Sequence, residues 1–227
     1  MKVNVTLLVG QIAFLALVFA LTLFLAAGTV AWLAGWLFLA LFFGFVLALT
    51  LWLLRENPAL LTERMTVSRP DQKMFDKVFF ALMNVGFIGW LVLMPLDAVR
   101  FGWSRVPVWL QAVGAVILGG SFFLFFVTFR ENTFLSPMVR IQHDRGQTVV
   151  TTGPYGYVRH PMYAAFLVLV VGTALLLGSW FGLLAGLALV VGVGRRAVLE
   201  ERALRDELHG YRAYMAAVKY RFVPGIW

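Results

Sequence analysis

Four stretches of the chain, 5–27, 30–54, 78–96 and 107–129, contain no Asp, Glu, Lys or Arg. A helix of about 20 apolar residues crosses the ~30 Å hydrocarbon core of a bilayer and closes its backbone hydrogen bonds internally. Each stretch is therefore a predicted membrane span. With 61% hydrophobic and 13% charged residues, the chain has the composition of an integral membrane protein.

A fifth apolar stretch, 161–194, is too long for one span. Gly178-Ser179-Trp180 lies near its middle, and each arm would measure about 25 Å at ~1.5 Å per residue. This predicts a tight helical hairpin and six segments in all; a re-entrant pair, or one tilted helix followed by an interfacial piece, shares the pattern. Pro161 suits the first position of a helix, so the first arm should begin just after His160. The predicted fold class is an all-α membrane protein of five to six transmembrane helices, with a C-terminal helical hairpin and a cytoplasmic amphipathic helix. It forms one membrane domain over 1–227, with 1–130 as a four-span scaffold and 131–227 as the region carrying the polar motifs. The first stretch is read as a retained anchor rather than a secretory signal, because another span follows within three residues.

The absence of cysteine rules out disulfides, thiolate metal sites and thiol nucleophiles. The three histidines lack metal-ligand spacing, so no metal is expected, and His143 and His209 are expected in water. The net charge of +8 is a topology signal. Lys2, the 55–77 loop (Arg55, Arg64, Arg69, Lys73, Lys77), the 130–159 loop (Arg130, Arg140, Arg145, Arg159) and seven basic residues after Gly194 fall on one side. Only Arg100 and Arg105 fall on the other, which predicts cytoplasmic termini. These basic residues are scattered rather than gathered into a patch, so nucleic acid is not an expected partner.

Two segments carry candidate chemistry. In 153–163, the N-terminus of the hairpin helix stands beside Arg159 and His160, a site for an anionic group; an interfacial belt of Arg, His and Tyr is the alternative. In 195–219, Leu204, Leu208, Tyr211, Met215 and Val218 make an apolar helical stripe. Extending that stripe backwards gives Glu200 and Arg196 on the buried face, with Glu207 near it, whereas Glu201, Arg205 and Arg212 should turn toward water. Buried charges of this kind call for partners or a charged ligand; a plain i, i+4 ion pair is the alternative.

Gly153-Pro-Tyr155, Arg159-His-Pro161 and Tyr163, then a hydrophobic hairpin, then Arg196, Glu200-Glu201, Leu204, Gly210, Tyr211, Tyr214 and Pro224, resemble the isoprenylcysteine carboxyl methyltransferase family of integral membrane methyltransferases. The resemblance covers roughly 131–227. It implies S-adenosyl-L-methionine as cofactor, bound by cytoplasmic loops. Motif by motif, it assigns that cofactor to Gln142, Gln147, Thr148, Val149 and Val150, to Tyr155, to His160, Pro161, Met162 and Tyr163, and to Glu200. Arg196 would orient the acceptor. The chain departs from the pattern in having Gln147 where eukaryotic members have His, and in one extra residue between the Glu pair and Gly210. The expected partner is a lipid-like or small hydrophobic methyl acceptor reached from the membrane, with a carboxylate or thiol favoured because the sequence offers no evident base to deprotonate an amine. A nicotinamide-dependent membrane reductase and a transporter are the rival functions; the spans carry few of the midplane polar groups that transport sites use.

Overall fold

The computed structural model describes residues 3–65 and 74–227, so Lys2, Arg69 and Lys73, counted above for orientation, lie outside the described residues. Among the described residues every regular element is helical. Helices α1 (Val5–Ala27), α2 (Leu33–Glu56), α4 (Met74–Pro95), α5 (Val108–Glu131) and α7 (Trp180–Glu207) are long and apolar enough to cross a membrane. The short α3 (Pro58–Met65) follows α2, α6 (Pro161–Leu176) precedes α7, and α8 (Tyr211–Ala217) lies near the C-terminus. The bundle is apolar on its outside: Phe14, Leu25, Leu82 and Val85 are all exposed. Lipid, not water, is the solvent such a surface fits.

The span boundaries follow local chemistry. Asn4 caps α1 by accepting from the Leu7 N–H, the role of a short polar side chain at a helix start. α2 begins at Leu33, three residues after the predicted start, because the Thr29 hydroxyl accepts from the Ala31 N–H and the Trp36 indole donates to Val30 O, which holds the connection as a turn. α4 passes into one π-helical turn, Leu96–Arg100. That turn carries Asp97 inward, where its carboxylate accepts from Ser104 Oγ at 2.6 Å and Ser179 Oγ at 2.5 Å and ties α4 to the α6–α7 turn.

Hydrocarbon offers no hydrophobic drive to pair spans, so close packing of small residues does that work. At the α5–α6 crossing, Gly114 faces Leu176 and Gly172 faces Leu118. A Cβ on Gly172 would lie 2.6 Å from the Leu118 nitrogen, closer than any side chain tolerates. Trp90 locks α4 to α7 by donating to Gly182 O at 2.6 Å.

The hairpin forms where the sequence predicts, starting at Pro161 and turning at 177–179. Its arms are unequal. α6, with 16 residues, is about 24 Å long, and α7, with 28, is about 42 Å. The predicted amphipathic segment from Arg195 onward is continuous with the second arm rather than a separate helix, and it ends at Glu207 before Gly210. Gly210 has φ +83° and starts α8, the left-handed geometry that favours glycine. A short helix beside one that overshoots leaves a recess over the start of α6. The 132–160 loop and the charged end of α7 fill the walls of that recess.

Candidate active site

The recess is a cleft walled by the 132–150 loop, the Gly153–Gly156 turn, the start of α6, the last two turns of α7, and α8. Of the predicted cofactor residues, Gln147, Thr148, Val149, Val150, Tyr155, His160, Pro161, Met162, Tyr163 and Glu200 all line it. Gln142 does not. Its side chain is buried inside the loop, donating to Phe134 O and accepting from Arg145, so it shapes the loop from behind.

The floor is a relay of side chains. Arg196 donates through Nε to Asp76 at 2.9 Å, through Nη1 to the Tyr163 hydroxyl at 2.7 Å, and through Nη2 to Pro137 O at 2.6 Å. Its guanidinium also lies 5.1 and 5.0 Å from the ring centres of Phe79 and Phe80. Tyr163 in turn donates a hydrogen bond to Glu200 Oε2 at 2.5 Å. Arg196 thus stands behind Tyr163, reaching the cleft through that hydroxyl, while two of its five N–H groups are left for another acceptor. Asp76 fixes the far wall as well, accepting from the Val139 N–H at 3.0 Å.

Glu201 does not turn toward water. It is 3% exposed, and its carboxylate gathers Arg159 Nε at 2.5 Å, His160 Nε2 at 3.2 Å and Arg221 Nε at 2.8 Å. Arg159 Nη1 continues to Val218 O and Lys219 O, and the backbone N–H groups of Arg159 and His160 donate to Tyr220 O and Arg221 O. The anionic group predicted beside Arg159 and His160 is therefore supplied by the chain itself. The physical reason is the C-terminal strap, 218–227, which packs along the side of α7 away from the cleft and buries a second face of the helix. Arg205 and Arg212 are exposed, as expected, and so are His143 and His209.

Sequence reasoning missed three contributors from the first half of the chain. Glu63 of α3, 3% exposed, takes Arg140 in a two-pronged ion pair with both distances 3.2 Å and accepts from Ser136 Oγ at 2.9 Å, clamping the 132–150 wall. Burial pulls the Arg140 guanidinium down, but Glu63 and then Asp144 outweigh it and hold it above its ordinary range. Arg64 lies 4.9 Å over the Phe129 ring and donates weakly to Leu135 O at 3.5 Å. Burial first, and the charge of Arg196 second, push it down to about 10. Asp76 is the third. No spacing signal joins these residues to partners 77 and 120 positions away.

At the other end the cleft is aromatic and aliphatic, with Tyr155, Leu208, Tyr211 and Tyr214 packed against Val149, Val150, Ile141 and Leu204. The Tyr155 hydroxyl accepts from Asn132 Nδ2, and Tyr214 donates to Tyr155 O. Burial raises the pKa of Tyr155, Tyr211 and Tyr214, which keeps all three phenols protonated at neutral pH. A ligand that is flat and aromatic at one end and cationic at the other matches this division: the tyrosines meet the first part and the Glu200 carboxylate the second.

Among the described residues, five helices long and apolar enough to cross a membrane, with a cleft lined by polar and aromatic side chains at one end, define an integral membrane protein. Residues 109–209 match the family model of the phospholipid methyltransferases, the integral membrane methyltransferases that include the isoprenylcysteine enzymes. That stretch holds α5 except its first residue, α6 and the whole of α7, with the loop between α5 and α6. That likeness, over 101 of the 227 residues, supports a membrane methyltransferase. No curated protein matches the chain.

Proposed function

We propose that the chain transfers a methyl group from S-adenosyl-L-methionine to a membrane-associated, lipid-like acceptor whose reacting group is a carboxylate or, second, a thiol. The observation that carries this is the Arg196–Tyr163–Glu200 relay, which presents a carboxylate to the cleft and keeps a guanidinium directly behind it. When bound, the cofactor supplies a methyl group made electrophilic by its sulfonium. Glu200 would accept from the cofactor's ammonium or ribose, and Tyr155, Tyr163 and the 147–150 segment would wall it. Such a displacement needs no nucleophile from the protein, so alignment and exclusion of water are what the fold contributes.

Arg196 orients the acceptor. Arg64, the neighbouring cation with no carboxylate partner among the described residues, adds positive charge on the same side. A carboxylate is attracted there and arrives already ionised, whereas an ammonium is repelled and must first lose a proton. Isoprenylcysteine-type O-methylation is the example this favours. The family's description names phospholipids, which makes a phospholipid amine the competing acceptor. The methyltransferase match supports this function over a nicotinamide-dependent reductase or a transporter.

The bias of Lys and Arg toward one side of the spans supports a cytoplasmic cleft and cytoplasmic termini. The chain then acts as one membrane domain, its active region in 131–227 and the acceptor entering from the bilayer. The test is transfer of labelled methyl from S-adenosyl-L-methionine to a prenylated cysteine, a lipophilic thiol and a phosphatidylethanolamine. Alkali-labile label on the prenylated cysteine supports a methyl ester. Label on the ethanolamine headgroup alone would replace the carboxylate with an amine.

A further inference from the structure

We infer that Tyr211 is a cofactor-binding residue whose hydroxyl hydrogen-bonds the adenosyl part of S-adenosyl-L-methionine. The inference rests on the proposed function. Its basis is an unpaired group: Tyr211 is 4% exposed, and its hydroxyl is sealed from water with no hydrogen-bond partner among the described residues. Buried phenols are ordinarily satisfied. Tyr214, three residues on and packed against Tyr211 with ring centres 5.6 Å apart, shows the ordinary case by donating to Tyr155 O at 2.8 Å. Both rings line the cleft, yet only Tyr214 uses its hydroxyl within the protein.

The position of Tyr211 indicates which part of the cofactor it meets. Its neighbours Tyr155, Leu208, Val149, Val150 and Leu204 make the apolar, aromatic end of the cleft, which suits a flat heteroaromatic ring. The Glu200–Tyr163 pair holds the charged end. Adenine offers nitrogen acceptors and an amino donor around its edge, and a phenol that stays protonated pairs with either. The resemblance that located the other cofactor residues assigns no role to this position, and the helical stripe marks it only as a core residue.

Tyr211→Phe keeps the ring and removes the unpaired hydroxyl. Purified in detergent, the variant should melt at or above the wild-type temperature, because no hydrogen bond is lost on the protein side. Its calorimetric Kd for S-adenosyl-L-methionine should rise roughly three- to tenfold, the worth of one hydrogen bond. The same rise is expected for 5′-methylthioadenosine, which lacks the amino-acid portion. Tyr214→Phe serves as the contrast and should lower the melting temperature. An unchanged Kd in Tyr211→Phe, or a lower melting temperature matching that of Tyr214→Phe, overturns the inference. A rise confined to S-adenosyl-L-methionine and missing for methylthioadenosine overturns the adenosyl assignment. If the wild type binds neither compound, it is the underlying function that fails, and the two failures are thereby distinguished.

Discussion

Adjacent glutamates should fail in opposite ways. Glu201→Gln leaves side-chain shape unchanged but strips the counter-charge from Arg159 and Arg221, which approach it at 2.5 and 2.8 Å. Removing one partner of a buried pair costs about 3–5 kcal/mol. The Arg221 side chain is 25% exposed and keeps some water, which places the expected loss at the lower end, about 3 kcal/mol. At roughly 2–4 °C per kcal/mol for a chain of this size, the melting temperature should fall about 6–12 °C. The strap should loosen with it, exposing Lys219 and Arg221 to trypsin. Glu200→Gln has a different effect. Its amide oxygen still accepts from Tyr163, so the change in stability should stay below about 1 kcal/mol. Thermal unfolding in detergent with timed proteolysis of both variants is the assay. Wild-type melting and a protected strap in Glu201→Gln, or equal destabilisation by both, would refute the division of a structural from a functional glutamate.

Three further outcomes follow from the same geometry. Arg196→Lys replaces three directed bonds, to Asp76, Tyr163 and Pro137, with a single ammonium; methyl transfer should fall by about a hundredfold or more, beyond what any change in cofactor Kd explains, because the planar fork is what spans those partners. Glu63→Gln should speed amide hydrogen exchange across 132–150 and weaken cofactor binding, since the Arg140 clamp loses its charge; exchange confined to α3 would contradict this. Gly172→Ala should destabilise the bundle by about 1–3 kcal/mol through overlap with the Leu118 backbone, visible as a lower melting temperature.

What the sequence disclosed and what it hid have physical causes. A charge-free run long enough to span a bilayer admits almost one structure, so α1, α4 and α5 fall where they are expected. Pro161 and Gly178 likewise mark the limits of α6 by backbone chemistry. The stripe through Leu204, Leu208 and Tyr211 was legible because burial on one face leaves a 3.6-residue period. It put Glu200 on the face that lines the cleft and misplaced Glu201, since a second buried face, made by an aperiodic strap, leaves no period to detect. The change from apolar to charged residues at Arg195 reads as a boundary, yet the helix continues through it from membrane to water. Glu63, Arg64 and Asp76 were hidden for another reason: lone charges in a connecting segment resemble topology signals until the fold brings them to residues far along the chain.

The most direct test of the central claim is calorimetric titration of S-adenosyl-L-methionine into the detergent-purified protein, with Glu200→Gln in parallel. The account predicts saturable binding at one site per chain, weakened at least tenfold in the variant while its melting temperature stays near that of wild type. A folded wild-type protein that does not bind, or a variant that binds equally well, would contradict it.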